Sequence, residues 1–60
     1  MKKVVEFDYD IGEEVGIRDI NRTGRIDAMK REKRGFMYRV VYWNDGERRV
    51  DWLYDWELTQ

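Results

Sequence analysis

The chain contains no cysteine, no histidine, no serine and no proline. Without cysteine and histidine there are no disulfides, no ordinary zinc site, no thiol nucleophile and no imidazole acid–base pair. Serine is missing as a nucleophile too, and no Gly-rich phosphate loop occurs, so the chain reads as a non-enzyme that takes no cofactor. Nothing in it requires an oxidising compartment, which makes the cytoplasm the expected location. Without proline, turns must be made by Gly, Asn and Asp. No apolar run approaches the roughly 20 residues of a membrane span. The opening MKKVVEFDYD reaches acidic residues before the apolar stretch of a signal peptide can form.

What is present is short and aromatic. Sixty residues allow a single domain, residues 1–60. A chain of this size buries only about 60% of the surface its unfolded form exposes, so its core must be dense or supplemented by a partner. Phe7, Tyr9, Phe36, Tyr38, Tyr42, Trp43, Trp52, Tyr54 and Trp56 supply large burial per side chain. Net charge is −1, but residues 21–40 carry seven cationic and two anionic groups, between two acidic thirds. The expected use of that asymmetry is neutralisation of the basic middle by the acidic ends, with display to an anionic partner as the competing use. A chain of this length beginning at Met suits a phage, plasmid or bacterial accessory protein.

Alternation of apolar and polar residues organises the chain as strands. Residues 3–9 alternate and predict an extra N-terminal strand. Residues 11–17 predict the first strand of the main sheet, with Ile11, Val15 and Ile17 in phase. Residues 21–24 predict a turn, and residues 25–30 a second strand with Ile26 and Ala28 in phase and Met29 out of phase. A helix over 25–34 is the competing reading, but positions 26, 28 and 29 form no helical stripe. Residues 30–35 predict a charged hairpin connection, and residues 36–43 the most strand-like run. Asn44-Asp45-Gly46 is the strongest turn signal. Residues 47–53 return as a strand, residues 54–58 form one helical turn, and residues 58–60 close with a short strand.

Two loop lengths compete at residues 44–46. A two-residue Asp-Gly loop places Val40 opposite Asp51 and Arg39 opposite Trp52. A three-residue Asn-Asp-Gly loop places Val40 opposite Val50, Tyr38 opposite Trp52 and Arg39 opposite Asp51. Matched cross-strand pairs contribute about 0.2–1 kcal/mol each, which favours the three-residue loop. That register turns Tyr38, Val40, Val50 and Trp52 inward, with Tyr42 and Arg48 on the same face nearer the rim. Arg39, Val41, Trp43, Arg49, Asp51 and Leu53 form the other face, whose apolar members are expected to lie under the N-terminal segment or a partner.

Ile11-Gly12-Glu13-Glu14-Val15, Gly24-Arg25-Ile26, Tyr38-Arg39-Val40-Val41-Tyr42, Asp45-Gly46 and Glu57-Leu58 together resemble a Tudor domain, over nearly all of residues 11–59. The resemblance implies an all-β, five-stranded SH3-like barrel of Tudor type that binds short peptides, often methylated, and sometimes nucleic acid. It implies an aromatic cage at one rim, since alkylated cations are attracted to ring faces. Tyr42 matches a cage position. The remaining cage positions fall on Glu47, on Asp45 and on Asp19 or Ile20, none of them aromatic. Trp43, Tyr54 and Trp56 offer a different cage, unless Trp56 plugs the end of the barrel. Residues 50–54 also lie where type II dihydrofolate reductase, a tetrameric barrel of this class, carries its Val-Gln-Ile-Tyr pore run. Asp51 and Trp52 replace its Gln and Ile, which argues against that activity.

The function expected is therefore a binding module for a protein or peptide, using Tyr42, Trp43, Asp45, Glu47, Tyr54 and Trp56. Carboxylates beside aromatic rings suit a cationic peptide. The alternative is nucleic-acid binding through Arg22, Arg25, Lys30, Arg31, Lys33, Arg34 and Arg39, with Trp43 as a stacking platform. No membrane partner is expected, and the chain acts as a monomer or a homodimer.

Overall fold

The computed structural model describes residues 7–59. Five strands form one antiparallel sheet: β1 (Glu14–Ile17), β2 (Arg22–Glu32), β3 (Gly35–Asn44), β4 (Glu47–Tyr54) and β5 (Leu58–Thr59). A single turn of 3-10 helix, Asp55–Glu57, joins β4 to β5. The spatial order is β4-β3-β2-β1-β5, and the sheet is open, with β4 and β5 at its edges.

The charged segment 30–35 is strand rather than loop: β2 continues to Glu32, and Lys33-Arg34 alone make the turn. Gly35, at φ 147°, starts β3 in a conformation that side chains rarely adopt. The expected turn at 21–24 lies earlier, over residues 18–21, with Asn21 at φ 52°; short polar side chains tolerate that region. Residues 11 and 12 form a turn, so β1 is shorter than its apolar pattern implies. The helical turn at 55–57 and the short strand after it fall where the sequence places them. Of the expected N-terminal strand, residues 3–6 lie outside the described residues, and Phe7 to Tyr9 are not strand.

The β3–β4 hairpin corrects the expected register. Asn44 pairs with Glu47, Val40 with Asp51 and Arg39 with Trp52, so the loop is the two-residue Asp45-Gly46 turn. Both turn residues have positive φ, 53° and 76°. That is the primed turn whose twist matches the strands it joins, whereas a longer loop would need a bulge. Val50 and Trp52 consequently face outward, together with Arg48, while Arg49, Asp51 and Leu53 take the inner side. Valine still meets valine, but as Val41 opposite Val50 on the outer face.

A register shift between Ile26 and Ala28 in β2 makes a bulge at Asp27. Two residues there oppose one, which bends the strand and resets its phase. Ile26 faces Val40 and Met29 faces Tyr38, so both serve the core, while Ala28 lies opposite Arg39 on the outer side. The expectation that Ala28 points inward and Met29 outward is thereby reversed.

The core is Val15, Ile17, Ile26, Tyr38, Val40, Tyr42 and Leu58, with Phe7, Tyr9, Met29, Phe36 and Leu53 packed around it. Tyr38 is its centre. Phe7 and Tyr9 meet its ring edge-on at 6.0 and 5.3 Å, and its hydroxyl oxygen accepts the backbone N–H groups of Asp8 and Tyr9. Burial pushes the Tyr38 hydroxyl above its ordinary pKa. One phenol thus anchors the entering chain through both its ring and its oxygen. Gly24 faces Val40 so closely that a Cβ would sit 2.5 Å from Val40 Cγ1, which lets β2 cross the core without a side chain of its own. At the far edge, Arg18 N–H donates to the Glu57 carbonyl and Arg18 Nε to the Leu58 carbonyl, tying β1 to the last turn.

Candidate functional site

Alternation along β2, β3 and β4 sends half of each strand's side chains to the face opposite the core. On that outer face Trp43 is 64% exposed, Val50 42% and Trp52 37%. The described N-terminal residues pack against Tyr38 on the inner side, so the expected internal cover over Trp43 and Val41 is not found among them.

Charged groups order this face. The bulge presents Asp27 to Arg39, which grips it with both arms: Nε to Oδ1 at 2.7 Å and Nη2 to Oδ2 at 3.2 Å. The guanidinium of Arg39, with a further pull from Arg48, holds the Asp27 carboxyl below its ordinary pKa, and Asp27 in turn raises that of Arg39. Lys30 Nζ lies 4.5 Å from the centroid of Trp52, and the Arg39 guanidinium carbon 5.9 Å from it. Both distances fall within the range of cation–π attraction. Lys30 also meets Glu32 at 3.1 Å, and Arg25 meets Glu14 at 3.9 Å while donating to the Gly12 carbonyl.

Beside this lattice runs an open groove of about 450 Å³, with Val41, Trp43, Arg25, Arg48, Asp27 and Glu14 in its walls. An indole and a valine side chain supply apolar surface, and two guanidinium and two carboxylate groups surround it. Such a surface can hold an apolar or aromatic side chain and pair charges of either sign beside it. A second hollow of about 240 Å³ lies along β1, between Arg18, Arg22 and Thr59.

The residues picked from sequence do not converge on one rim. Trp43 borders the groove, and Asp45 and Glu47 lie at the adjacent hairpin tip. Tyr42 is buried, and its hydroxyl donates to Asp51 Oδ2 at 2.5 Å, which raises its pKa. Tyr54 and Trp56 sit at the other end of β4, their rings stacked 4.3 Å apart. Trp56 is 56% exposed, so it does not plug the interior. The seven basic residues are likewise dispersed. Arg25, Lys30 and Arg39 share the outer face with a carboxylate beside each, Arg22 donates to the Asn44 side chain, Lys33 and Arg34 form the turn, and Arg31 pairs across from Phe36. Among the described residues, Lys30 pairs with its sequence neighbour Glu32 and Arg39 with Asp27 on the next strand, and of the seven only Arg25 pairs with an acidic end of the chain, at Glu14.

Glu14, Asp27, Arg48 and Trp52 were not among the residues expected to bind, and Val41 was expected only on a face covered by the N-terminal segment or a partner. Val41 was in plain sight as the partner of Trp43 at period two. Arg48 and Trp52 were hidden by the one-residue register error, and Asp27 by the bulge. Each of the four shifted groups moves further from neutral pH, so none of them is set for proton transfer at pH 7.

No family model, no curated protein and no solved structure matches the chain.

Proposed function

We propose that this protein is a small non-catalytic binding module that takes a peptide segment of another protein on the outer face of its sheet. The observation that carries the reading is the groove beside Trp43, where a largely exposed indole stands next to Val41 within a ring of charges of both signs. Exposed aromatic groups in a partly formed pocket are the usual anchors of protein recognition. The segment it suits carries an apolar or aromatic residue flanked by charged ones. A polyanion suits it less, because Arg25, Lys30 and Arg39 already have carboxylates beside them. A methyl-cation cage has less support, because Tyr42, at the matching position, is buried against Asp51.

The fold is read as an SH3-like barrel of Tudor type that is splayed open. The order β4-β3-β2-β1-β5, the bend at the β2 bulge and the 3-10 turn before β5 support that reading. The absence of cysteine fits a reducing cytoplasm, and among the described residues no helix is long and apolar enough to cross a membrane.

The test is selection of peptides from a random displayed library, followed by titration against Trp43→Ala and Trp56→Ala. Trp43→Ala should weaken the selected peptides by at least about tenfold, as loss of an interface anchor does, with Trp56→Ala unchanged. Equal binding by Trp43→Ala and the parent would remove the groove from the function.

A further inference from the structure

The two edges of the sheet are unlike. β5 has two residues, too short to template another strand, whereas β4 has eight. Proteins usually blunt a long edge with proline, a bulge or a repulsive charge. β4 contains no proline, and its pairing with β3 runs from Asn44–Glu47 to Met37–Tyr54 without a register shift. Residues 47–52 are all exposed, and among the described residues no strand lies beyond β4.

We propose that β4 is the interface for a second copy of this chain, the two β4 strands pairing antiparallel about Val50. A two-residue hairpin uses the backbone groups of 47, 49, 51 and 53 to bond β3, so those of 48, 50, 52 and 54 point out at the edge. Only even-numbered residues can therefore pair with even-numbered ones across the new ladder. Centring on Val50 brings Val50 against its own copy. It places Arg49 opposite Asp51 of the second copy, twice by symmetry, and Arg48 opposite Trp52, also twice. A two-fold interface must be self-complementary, and this one is, in both charge and cation–π pairing.

The neighbouring registers fail on charge. One step toward the turn sets Arg49 against Arg49 and Glu47 against Asp51. One step toward the C-terminal end sets Asp51 against Asp51. A further step in that direction leaves only residues 50–54 paired and drives residues 47–49 into the 3-10 turn of the second copy. Asp51 accepts Tyr42 through Oδ2, which leaves Oδ1 for the arriving guanidinium. Both outer faces end on the same side of the joined sheet, so two Trp43 grooves would look the same way. The dimer needs no ligand in either groove.

Sedimentation of the full chain and of two charge variants tests this. R49E and D51K each create two like-charge oppositions, and each alone should weaken dimerisation by at least about tenfold. Mixed one to one, they restore both opposite-charge pairs and should form a heterodimer close to the parent in affinity. That rescue cannot come from unfolded chains. Since the chain has no cysteine, V50C supplies a second readout. Paired about Val50, the two Cα atoms lie about 5.5 Å apart, within disulfide reach, so V50C should cross-link spontaneously while R48C should not. A parent that stays monomeric at millimolar concentration, or charge variants that dimerise as well as the parent, would overturn the proposal.

Discussion

The two faces of β2, β3 and β4 use the same kinds of residue to opposite ends. On the inner face Tyr38 and Val40 are fully buried, and Tyr42 nearly so. On the outer face, one residue along, Trp43 and Trp52 stand in solvent among arginine, lysine and carboxylate groups. The inner aromatics make their polar contacts with fixed groups: Tyr38 with two backbone N–H groups, Tyr42 with Asp51. The outer aromatics are met by the ends of flexible cationic side chains. The inner face is thus tied into one arrangement, while the outer face can rearrange around a ligand without loss of the core. An aromatic residue in this sheet is committed to the core or to the exposed face by the phase of its strand.

Removing an inner ring should break that contrast most severely. Tyr38→Ala loses a fully buried ring and the anchor for residues 7–9, at a cost of about 3–5 kcal/mol. That is comparable with the whole stability of a domain this small, so thermal melts should show the variant largely unfolded at 25 °C. Tyr42→Phe is milder, about 1 kcal/mol for one hydrogen bond, and it sharpens the comparison through pH. The Tyr38 and Tyr42 hydroxyls both have raised pKa values, Tyr38 chiefly through burial and Tyr42 chiefly through its bond to Asp51. Each favours the neutral phenol in the folded state, so its contribution is fully present below pH 10 and fades as pH rises through the shifted value. Denaturant titrations from pH 9 to 12 should show a falling stability, with a shallower fall in Tyr42→Phe. The outer face should respond least. Trp52→Ala removes the ring beneath Lys30 for about 0.5–1 kcal/mol, and chemical denaturation should show a transition of unchanged steepness.

Much of the architecture was legible because alternation is a strong signal. Residues 36–43 stood out by their run of aromatic and β-branched side chains, and the helical turn expected over residues 54–58 falls at Asp55–Glu57. Register was harder. Asn-Asp-Gly satisfies both a two-residue and a three-residue loop, and the choice between them turned on which residues count as matched. Weighing Val40 with Val50 favoured the longer loop. It omitted Val41 with Val50, the cations against Trp52, and the bond from Tyr42 to Asp51, all of which the shorter loop gains. A bulge without glycine, as at Asp27, leaves no local mark in composition, so the phase change that brings Met29 inward was invisible. Trp43 was recognisable as an outward-facing residue from its phase relative to the buried Tyr42. Asp27 and Arg48, two of its neighbours in the groove, were not, since they arrive from strands whose phase the bulge and the turn decide.

The register of the β3–β4 hairpin fixes which residues stand on which face, and nuclear Overhauser effects between α-protons read it directly. Where an antiparallel pair shares no hydrogen bonds, its Cα atoms approach to about 4.5 Å, and the α-protons give strong cross-peaks. The two-residue turn predicts such peaks between Val41 and Val50, Arg39 and Trp52, and Trp43 and Arg48. A strong peak between the α-protons of Val40 and Val50 would instead turn Val50 and Trp52 back toward the core and contradict the division between the two faces.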